Sequence, residues 1–215
     1  MPLQQGLLVV LSGPAGSGKS TIADQLVKTS TRVRRAVTAT TRKPRPGEKD
    51  GVDYFFLDED EFRRRIENEE FMEYTIFNGN YYGTPRLELE KNLAKGGVVL
   101  LVIEVDGAES VKFFFPYAVF VFIIPPSPEI LRERLIGRGT ESEEDVERRL
   151  AIAQREMERV GEYDFLVINA DTHMATLDLA AIIRTVRRSR IRGDEVRRWN
   201  EGHYGNWQTK VIRDE

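Results

Sequence analysis

Residues 7–21, LLVVLSGPAGSGKST, constrain the fold of this 215-residue chain more than any other segment. An apolar run is followed by a glycine-rich loop and a helical pattern, and the spacing Gly-x4-Gly-Lys-Ser is that of a phosphate-binding loop. Glycine lets backbone N–H groups turn inward around a phosphate, and the following helix directs its positive end at the same place. The segment therefore predicts a strand, a phosphate-binding loop and a helix.

The loop also predicts a ligand. Lys19 should reach the β- and γ-phosphates of a nucleoside triphosphate, and the Ser20 hydroxyl should help to hold Mg²⁺. The alternative is a chance match, which a chain of this length shows about once in a hundred times, and the flanking strand and helix make chance rarer still. We expect the triphosphate to be bound by Gly13, Pro14, Ala15, Gly16, Ser17, Gly18, Lys19, Ser20 and Thr21.

Four apolar runs rich in β-branched residues predict a parallel sheet. They span residues 7–12, 98–105, 118–125 and 165–169, and they are continuous rather than alternating, as strands buried on both faces are. Helical patterns lie between the runs, one of them with Ser127 as the expected N-cap. This alternation predicts an α/β fold in which the sheet is flanked by helices.

Residues 38–84 interrupt the alternation, since they are rich in Gly, Pro, Tyr and charge, and we interpret them as an insertion. The core is then predicted at residues 1–37 and 85–190, followed by a tail at 191–215. The C-terminal segment is basic and contains both tryptophans. Such a tract can bind RNA by stacking and phosphate contacts, but a helix extension that ends in a packed tail explains it more simply.

Composition excludes several classes of site and partner. Lys and Arg total 32 and Asp and Glu 35, so the net charge of −3 gives no reason to expect binding to nucleic acid or anionic membranes. There is no cysteine and there are only two histidines, which argues against disulfides and zinc sites. No window approaches ~20 apolar residues, and no signal peptide is recognisable. We expect a cytoplasmic protein without membrane contact, and no pattern predicts its oligomeric state.

Residues 40–56, TTRKPRPGEKDGVDYFF, place two arginines on a stiff loop. Pro44 and Pro46 fix their own φ angles and bias the preceding residues toward extended geometry. Arginine presents a planar fork that grips phosphate bidentately. Because the glycine loop alone holds a triphosphate, Arg42 and Arg45 point to a second phosphate, although such a loop taken alone is more often a solvated surface loop.

Several motifs occur in an order that identifies a family. The glycine loop, TTRKPRPGEKDGVDYFF, EEFMEY, GNYYGT, PPS, GRGTESEEDVERRL and VIN follow one another between residues 5 and 190. Together they resemble the guanylate kinases. The resemblance implies a P-loop NTPase core with a GMP-binding insertion and a lid, and transfer of the γ-phosphoryl group of MgATP to GMP to give ADP and GDP.

The resemblance also implies how the two ends of GMP are bound. The GMP phosphate would be held by Arg42, Arg45, Tyr54 and Tyr82, with Glu48 orienting an arginine. Guanine offers N1–H and N2–H₂ donors beside its O6 acceptor, and an ionised carboxylate only accepts. A glutamate matching Glu73 takes the two donors, a hydroxyl residue matching Thr38 meets O6, and Thr84 matches another hydroxyl near the base. The family usually has Ser where Thr38 stands, so the hydroxyl is kept.

The lid region is predicted at residues 127–158. Glycines on both sides of Arg138 interrupt the helical pattern, which favours a mobile flap. By resemblance, Arg138 and Arg149 close on the transferring phosphoryl group, where arginine stabilises charge on the equatorial oxygens. Arg134 and Asn169 would lie near the adenine of ATP. The residues implied to be catalytic are therefore Lys19, Arg45, Arg138 and Arg149. Arg134 and Arg148 could equally be solvated helix charges paired with nearby glutamates.

One strand departs from the family pattern. The family commonly reads Leu-Asp-Ile-Asp-Val-Gln-Gly, whereas this chain reads LVIEVDG, with Val102 in place of the first acid. Acids at a strand end beside a phosphate loop usually orient Mg²⁺ waters. We therefore hypothesise that Glu104, with its longer reach, binds Mg²⁺ through water, and that Asp106 assists it.

Two other functions remain open at this point. Non-catalytic guanylate-kinase-like modules bind protein ligands in the old nucleotide cleft, but they typically lose the loop lysine or the lid arginines, which are present here. A related P-loop kinase could act on another phosphorylated acceptor, and the pair of Glu73 and Thr38 argues against that. The sequence thus favours guanylate kinase activity.

Overall fold

Strands and helices alternate along most of the chain. The computed structural model describes residues 6–77, 79–137 and 143–200, and side chains as far as residue 188. The strands are β1 (Leu7–Ser12), β2 (Val33–Arg35), β3 (Thr38–Thr40), β4 (Tyr54–Phe56), β5 (Phe71–Phe77), β6 (Asn80–Pro85), β7 (Val98–Val102), β8 (Val119–Ile124) and β9 (Phe165–Ile168). The helices are α1 (Lys19–Thr29), α2 (Glu59–Glu67), α3 (Arg86–Ala94), α4 (Val105–Phe114), α5 (Pro128–Ile136), α6 (Glu143–Glu158) and α7 (Thr172–Asn200), with a 3₁₀ turn at Val160–Glu162.

A five-stranded parallel sheet with the order β2-β7-β1-β8-β9 forms the core of the fold. Alternate side chains of β1 enter the two layers on its faces. Val9 and Leu11 pack with residues of α1 and α7, whereas Leu8 and Val10 pack with residues of α3 and α4. The predicted α/β class and the four predicted strands are therefore confirmed.

The structure also corrects one boundary and adds a strand to the central sheet. The second predicted strand ends at Val102, and α4 already begins at Val105, which the sequence interpretation had included in the strand. The edge strand β2 was not predicted, because its sequence Val-Arg-Arg is short and basic. It is nevertheless paired with β7 in parallel.

Residues between β3 and β6 form a separate four-stranded sheet with the order β4-β3-β6-β5. This sheet has a small core of its own, in which the rings of Phe62 and Phe71 stack with centroids 4.3 Å apart. The helix α2 starts after Asp58, whose carboxylate accepts a hydrogen bond of 2.7 Å from the backbone N–H of Glu61. The interruption seen in the sequence thus corresponds to a distinct piece of structure, and its role in binding GMP stays a prediction.

The helices α5 and α6 pack on each other through Leu131, Leu135, Val146 and Ala153. The predicted N-cap of α5 is confirmed, since the Ser127 hydroxyl accepts a hydrogen bond from the backbone N–H of Ile130. The helix α7 continues to Asn200, so the first ten residues of the predicted tail are helical. Within the described ranges, no helix combines the length and the apolar character that crossing a membrane needs.

Candidate active site

The phosphate-binding loop joins β1 to α1 in a conformation that needs glycine. Gly13 has a φ of 130°, and a methyl group there would overlap the backbone carbonyl of Ile123 in β8. Gly18 has a φ of 95° and is the N-cap of α1. Side chains are strained at such positive φ angles. The loop is therefore pressed against the carboxyl end of the sheet, with the N-terminus of α1 directly behind it.

Lys19 is buried at the mouth of this loop, with 8% of its surface exposed. Its ammonium donates hydrogen bonds to the carbonyls of Gly13 (2.5 Å) and Pro14 (3.2 Å). It also lies 3.4 Å from Glu104 Oε2. The ammonium of Lys19 and the carboxylate of Glu104 thus lie side by side at the mouth of the loop, where a phosphate chain can enter.

A cleft runs from the phosphate loop to the small sheet. Its lining residues are Lys19, Ser20, Thr38, Tyr54, Glu73, Thr75, Tyr82, Gly83, Val102, Ile103 and Glu104. Four of the eight residues expected to bind GMP therefore share one cleft with Lys19 and Ser20, namely Thr38, Tyr54, Glu73 and Tyr82. Both sheets contribute to this cleft.

Glu73 is the buried acid of the cleft, with 5% of its surface exposed. Its Oε1 accepts a hydrogen bond of 2.5 Å from the Thr84 hydroxyl. Burial raises the pKa of the Glu73 carboxyl to about 7, the hydrogen bonds from Thr84 oppose this, and the charge of Glu104 adds to it. Thr38 is also buried and lines the same cleft. The carboxyl is thus poised between its neutral and ionised forms near neutral pH.

Arg42 is fixed by a carboxylate and two rings. Its Nη2 lies 2.9 and 3.0 Å from the two oxygens of Glu48. Its guanidinium stands 5.4 Å from the centre of the Tyr54 ring and 5.9 Å from that of Phe56. Glu48 also accepts a 2.7 Å hydrogen bond from the backbone N–H of Arg45. The proline-rich loop is therefore held around one glutamate, as expected for a residue that orients an arginine.

Three other residues complete this end of the site. The side chain of Arg45 is exposed, so it can turn toward a ligand. The rings of Tyr54 and Tyr82 meet edge to face, with centroids 6.3 Å apart. Burial raises the pKa of the Tyr54 phenol above its ordinary value, so its hydroxyl keeps its proton.

The residues expected near adenine lie beside the phosphate loop. Asn169 follows β9 and is 2% exposed, and its backbone carbonyl accepts a 2.9 Å hydrogen bond from Arg134 Nη2. Arg134 is thus not a solvated helix charge. Arg148, in contrast, is exposed and pairs with Asp145 at 2.5 Å, in agreement with its interpretation as a surface charge.

Of the two predicted lid arginines, the structure describes Arg149. Arg149 lies half-buried on α6. Arg138 lies outside the described residues.

The two acids that follow β7, Glu104 and Asp106, lie in different surroundings. Glu104 lines the cleft beside Lys19, and Val102 lines it without a charge. The role of Glu104 at Mg²⁺ stays a prediction. The side chain of Asp106 is 83% exposed and pairs with Arg159 at 3.2 Å. This geometry contradicts the expectation that Asp106 assists at the phosphate loop. Its position as the second residue of α4 turns it outward.

The sequence interpretation missed three residues of the site. Thr75 lies two positions beyond Glu73 on β5, and the alternation of strand side chains could have placed both on one face. Gly107 lies against Glu73, since a methyl group there would stand 2.6 Å from Glu73 Oε2. Glu156 is half-buried on α6, and burial followed by the charge of Glu104 raises its pKa to about 7. No local pattern predicts the last two, because their contacts are tertiary.

The family model for guanylate kinase matches residues 5–186. The guanylate kinase of Desulfitobacterium hafniense (strain Y51) is 46% identical over 183 residues, which are 85% of this chain and 92% of that protein. The guanylate kinase of Clostridioides difficile (strain 630) is 44% identical over 183 residues, 85% of this chain and 89% of that protein.

A solved structure agrees with these sequence matches. The crystal structure of guanylate kinase from Anaplasma phagocytophilum superimposes with a TM-score of 0.70 at 36% sequence identity. The match covers 85% of this chain and 86% of that one. Family model, relatives and fold therefore agree. This chain belongs to the guanylate kinase family.

Proposed function

We propose that this protein transfers the γ-phosphoryl group of MgATP to GMP, giving ADP and GDP. The observation that carries the proposal is the buried carboxyl of Glu73 in the same cleft as the phosphate-loop Lys19. On this proposal the cleft would hold a guanine at Glu73 and a polyphosphate chain at Lys19. We place the reaction in the cytoplasm, because the guanylate kinases that this chain resembles come from bacteria.

Guanine is selected by hydrogen-bond direction. An ionised Glu73 accepts from guanine N1–H and N2–H₂, whereas adenine presents a bare acceptor at N1 that the carboxylate repels. Thr38 and Thr84 are both buried. The Thr38 hydroxyl lines the cleft and would meet O6, while the Thr84 hydroxyl donates to the Glu73 carboxylate. A site built from buried polar groups discriminates strongly, because a wrong base leaves those groups unpaired.

The phosphate of GMP docks at the proline-rich loop. At about pH 7 this phosphate is mostly a dianion by analogy with phosphoserine, so its attack on ATP needs no general base. What opposes the reaction is the approach of two anions, since each unit-charge pair repels by about 4 kcal/mol at 4 Å and an effective dielectric near 20. Arg42, Arg45 and the hydroxyls of Tyr54 and Tyr82 would offset this repulsion at the acceptor.

The donor is held by the phosphate loop and by the helices α5 and α6. Lys19 would exchange its contacts with the Gly13 and Pro14 carbonyls for the β- and γ-phosphates. Arg149, together with Arg138, would stabilise charge on the transferring group. Closure of these helices would also exclude water and limit hydrolysis of ATP.

The residues at the loop mouth fit Mg²⁺ in the way phosphoryl-transfer sites usually bind it. No cluster of three or more potential ligands occurs among the described residues, but Mg²⁺ in such sites is bound by one or two carboxylates together with substrate phosphates. Ser20 and Glu104 line the cleft together with Lys19 and would hold the ion, Glu104 through water. The ion would offset charge on the β- and γ-phosphates.

Glu104→Gln is expected to raise the Mg²⁺ concentration needed for half-maximal ATP affinity by about tenfold, because a lost charge-assisted contact is worth about 1.4 kcal/mol. Titration calorimetry of ATP at a series of Mg²⁺ concentrations measures this without turnover. Glu90→Gln, an exposed acid on α3, is the matched control. An unchanged Mg²⁺ dependence in Glu104→Gln would remove this residue from the metal site.

Gly107→Ala is expected to raise the KM for GMP about tenfold while leaving the KM for ATP within twofold. The added methyl group would stand 2.6 Å from Glu73 Oε2 and so displace the carboxyl from Thr84, which removes about one hydrogen bond to a charged group. Gly161→Ala is the control, because nothing lies within 4 Å of the added carbon there. An equal change in both KM values would mean that the helix α4 has moved rather than Glu73.

The proposed reaction is tested by measuring ADP formation with MgATP and, in turn, GMP, AMP, UMP and CMP. Turnover with GMP alone is the expected result. Turnover with another acceptor would identify a related kinase. No turnover with any acceptor, despite ATP binding, would favour the non-catalytic protein-binding module.

A further inference from the structure

We propose that Asn169 is a positioning residue that clamps the phosphate-binding loop, a role that rests on the proposed function and is separate from any contact with a base. Asn169 is 2% exposed, and its Nδ2 donates a 2.7 Å hydrogen bond to the backbone carbonyl of Ser17. Ser17 itself is fully buried. A side chain near the C-terminal edge strand thus reaches into the loop after β1.

Rigid elements hold Asn169 from both sides. Its backbone N–H donates a 2.7 Å hydrogen bond to the Ile124 carbonyl at the end of β8. Its backbone carbonyl accepts from Arg134 Nη2 on α5 at 2.9 Å. The side-chain amide is therefore presented from fixed points on a strand and a helix, as a precise positioning contact requires.

The clamp sets the orientation of one peptide plane in the loop. In a trans peptide the C=O of Ser17 and the N–H of Gly18 point in opposite directions. Holding the Ser17 carbonyl on Asn169 therefore turns the Gly18 N–H away from Asn169 and fixes its direction for a bound phosphate. The fit is close, since a methyl group on Gly18 would overlap Asn169 Nδ2.

The oxygen of the Asn169 side-chain amide takes no part in the clamp. Asn169 Oδ1 and Arg134 Nη1 are buried and have no hydrogen-bond partner in the described part of the chain. They suit the base contact that the family resemblance implies. The clamp uses Nδ2 only, so the two roles can be separated by a ligand that has phosphates and no base.

The test is the dissociation constant of magnesium tripolyphosphate, measured by calorimetry on the full chain. Asn169→Ala is expected to weaken tripolyphosphate binding about tenfold, which corresponds to about 1.4 kcal/mol. Asn169→Asp, which keeps the shape but sets a carboxylate against the Ser17 carbonyl, should weaken it at least as much. Asn92→Ala is the matched control, because Asn92 is a buried asparagine of α3 whose Nδ2 donates to the carbonyl and the carboxylate of Glu88.

The outcomes separate the clamp from the proposed function. GMP affinity within twofold of that of the unmodified protein shows that each variant is folded. Unchanged tripolyphosphate binding in both Asn169 variants, with or without a loss of ATP affinity, would overturn the clamp alone. If the unmodified protein did not bind tripolyphosphate, the phosphate loop and with it the proposed function would fail as well.

Discussion

Lys19→Ala is expected to lower kcat for ADP formation from MgATP and GMP by about 10²- to 10³-fold, the usual effect of removing one fixed donor from a transition state. The Lys19 ammonium is buried, and three acceptors hold it at the mouth of the loop. Once ATP has replaced the two carbonyls, the ammonium would already lie at the β- and γ-phosphates when charge develops on the transferring phosphoryl group. Steady-state kinetics at saturating GMP measures the change.

The control for this variant is Lys28→Ala, which removes an exposed lysine from the last turn of the same helix. Its kcat should stay within twofold of that of the unmodified protein. GMP affinity should be almost unchanged in Lys19→Ala, because the guanine end of the cleft is built by other residues. A loss of less than tenfold in kcat would contradict a role for Lys19 at the reacting phosphate.

The central sheet could be predicted from sequence because its strands are buried on both faces. Continuous apolar runs such as those of β1 and β8 carry that signal directly. The strands β3 and β4, each three residues long, are too short to show a period of two. The basic edge strand β2 is stabilised by pairing with β7, a tertiary contact that no local pattern contains.

The candidate site could likewise be predicted only in part from the sequence. The glycine loop and the proline-rich loop are local patterns, and the resemblance to a family supplied residues such as Glu73. Gly107 and Asn169 act through contacts with residues that are distant in sequence, and the close approach of Gly107 to Glu73 is visible only in three dimensions. Asp106 shows the converse error, since its place in the motif indicated the phosphate loop and its place on α4 turns it to the surface.

Glu73→Gln is expected to lower kcat/KM for GMP by about 10²-fold, because the amide turns one acceptor of the buried carboxylate into a donor that faces a guanine donor. Activity with AMP should fall far less, so the preference for GMP over AMP shrinks. Glu67→Gln, an exposed acid at the end of α2, is the control. A variant that kept its preference for GMP would show that another group selects the base.

The raised pKa of Glu73 also makes the free energy of unfolding depend on pH. Burial raises the pKa of Glu73 to about 7 in the folded protein, above the ordinary value of 4.5, so the folded state binds more protons than the unfolded chain between these values. The free energy of unfolding therefore falls as pH rises from about 4.5 to about 7, and Glu73→Gln should be at least as stable as the unmodified protein at pH 8.

Guanine binding needs the ionised carboxylate, so GMP affinity should rise with pH through about 7 and then level off. Ionisation of the GMP phosphate, with a pKa near 6, adds a second rise at lower pH. Calorimetry from pH 5.5 to 8.5 should resolve both rises in the unmodified protein and only the lower one in Glu73→Gln. Identical pH profiles of GMP affinity in the unmodified protein and in Glu73→Gln would mean that Glu73 is already ionised when GMP binds. Thr84 and the rest of the cleft would then stabilise its charge.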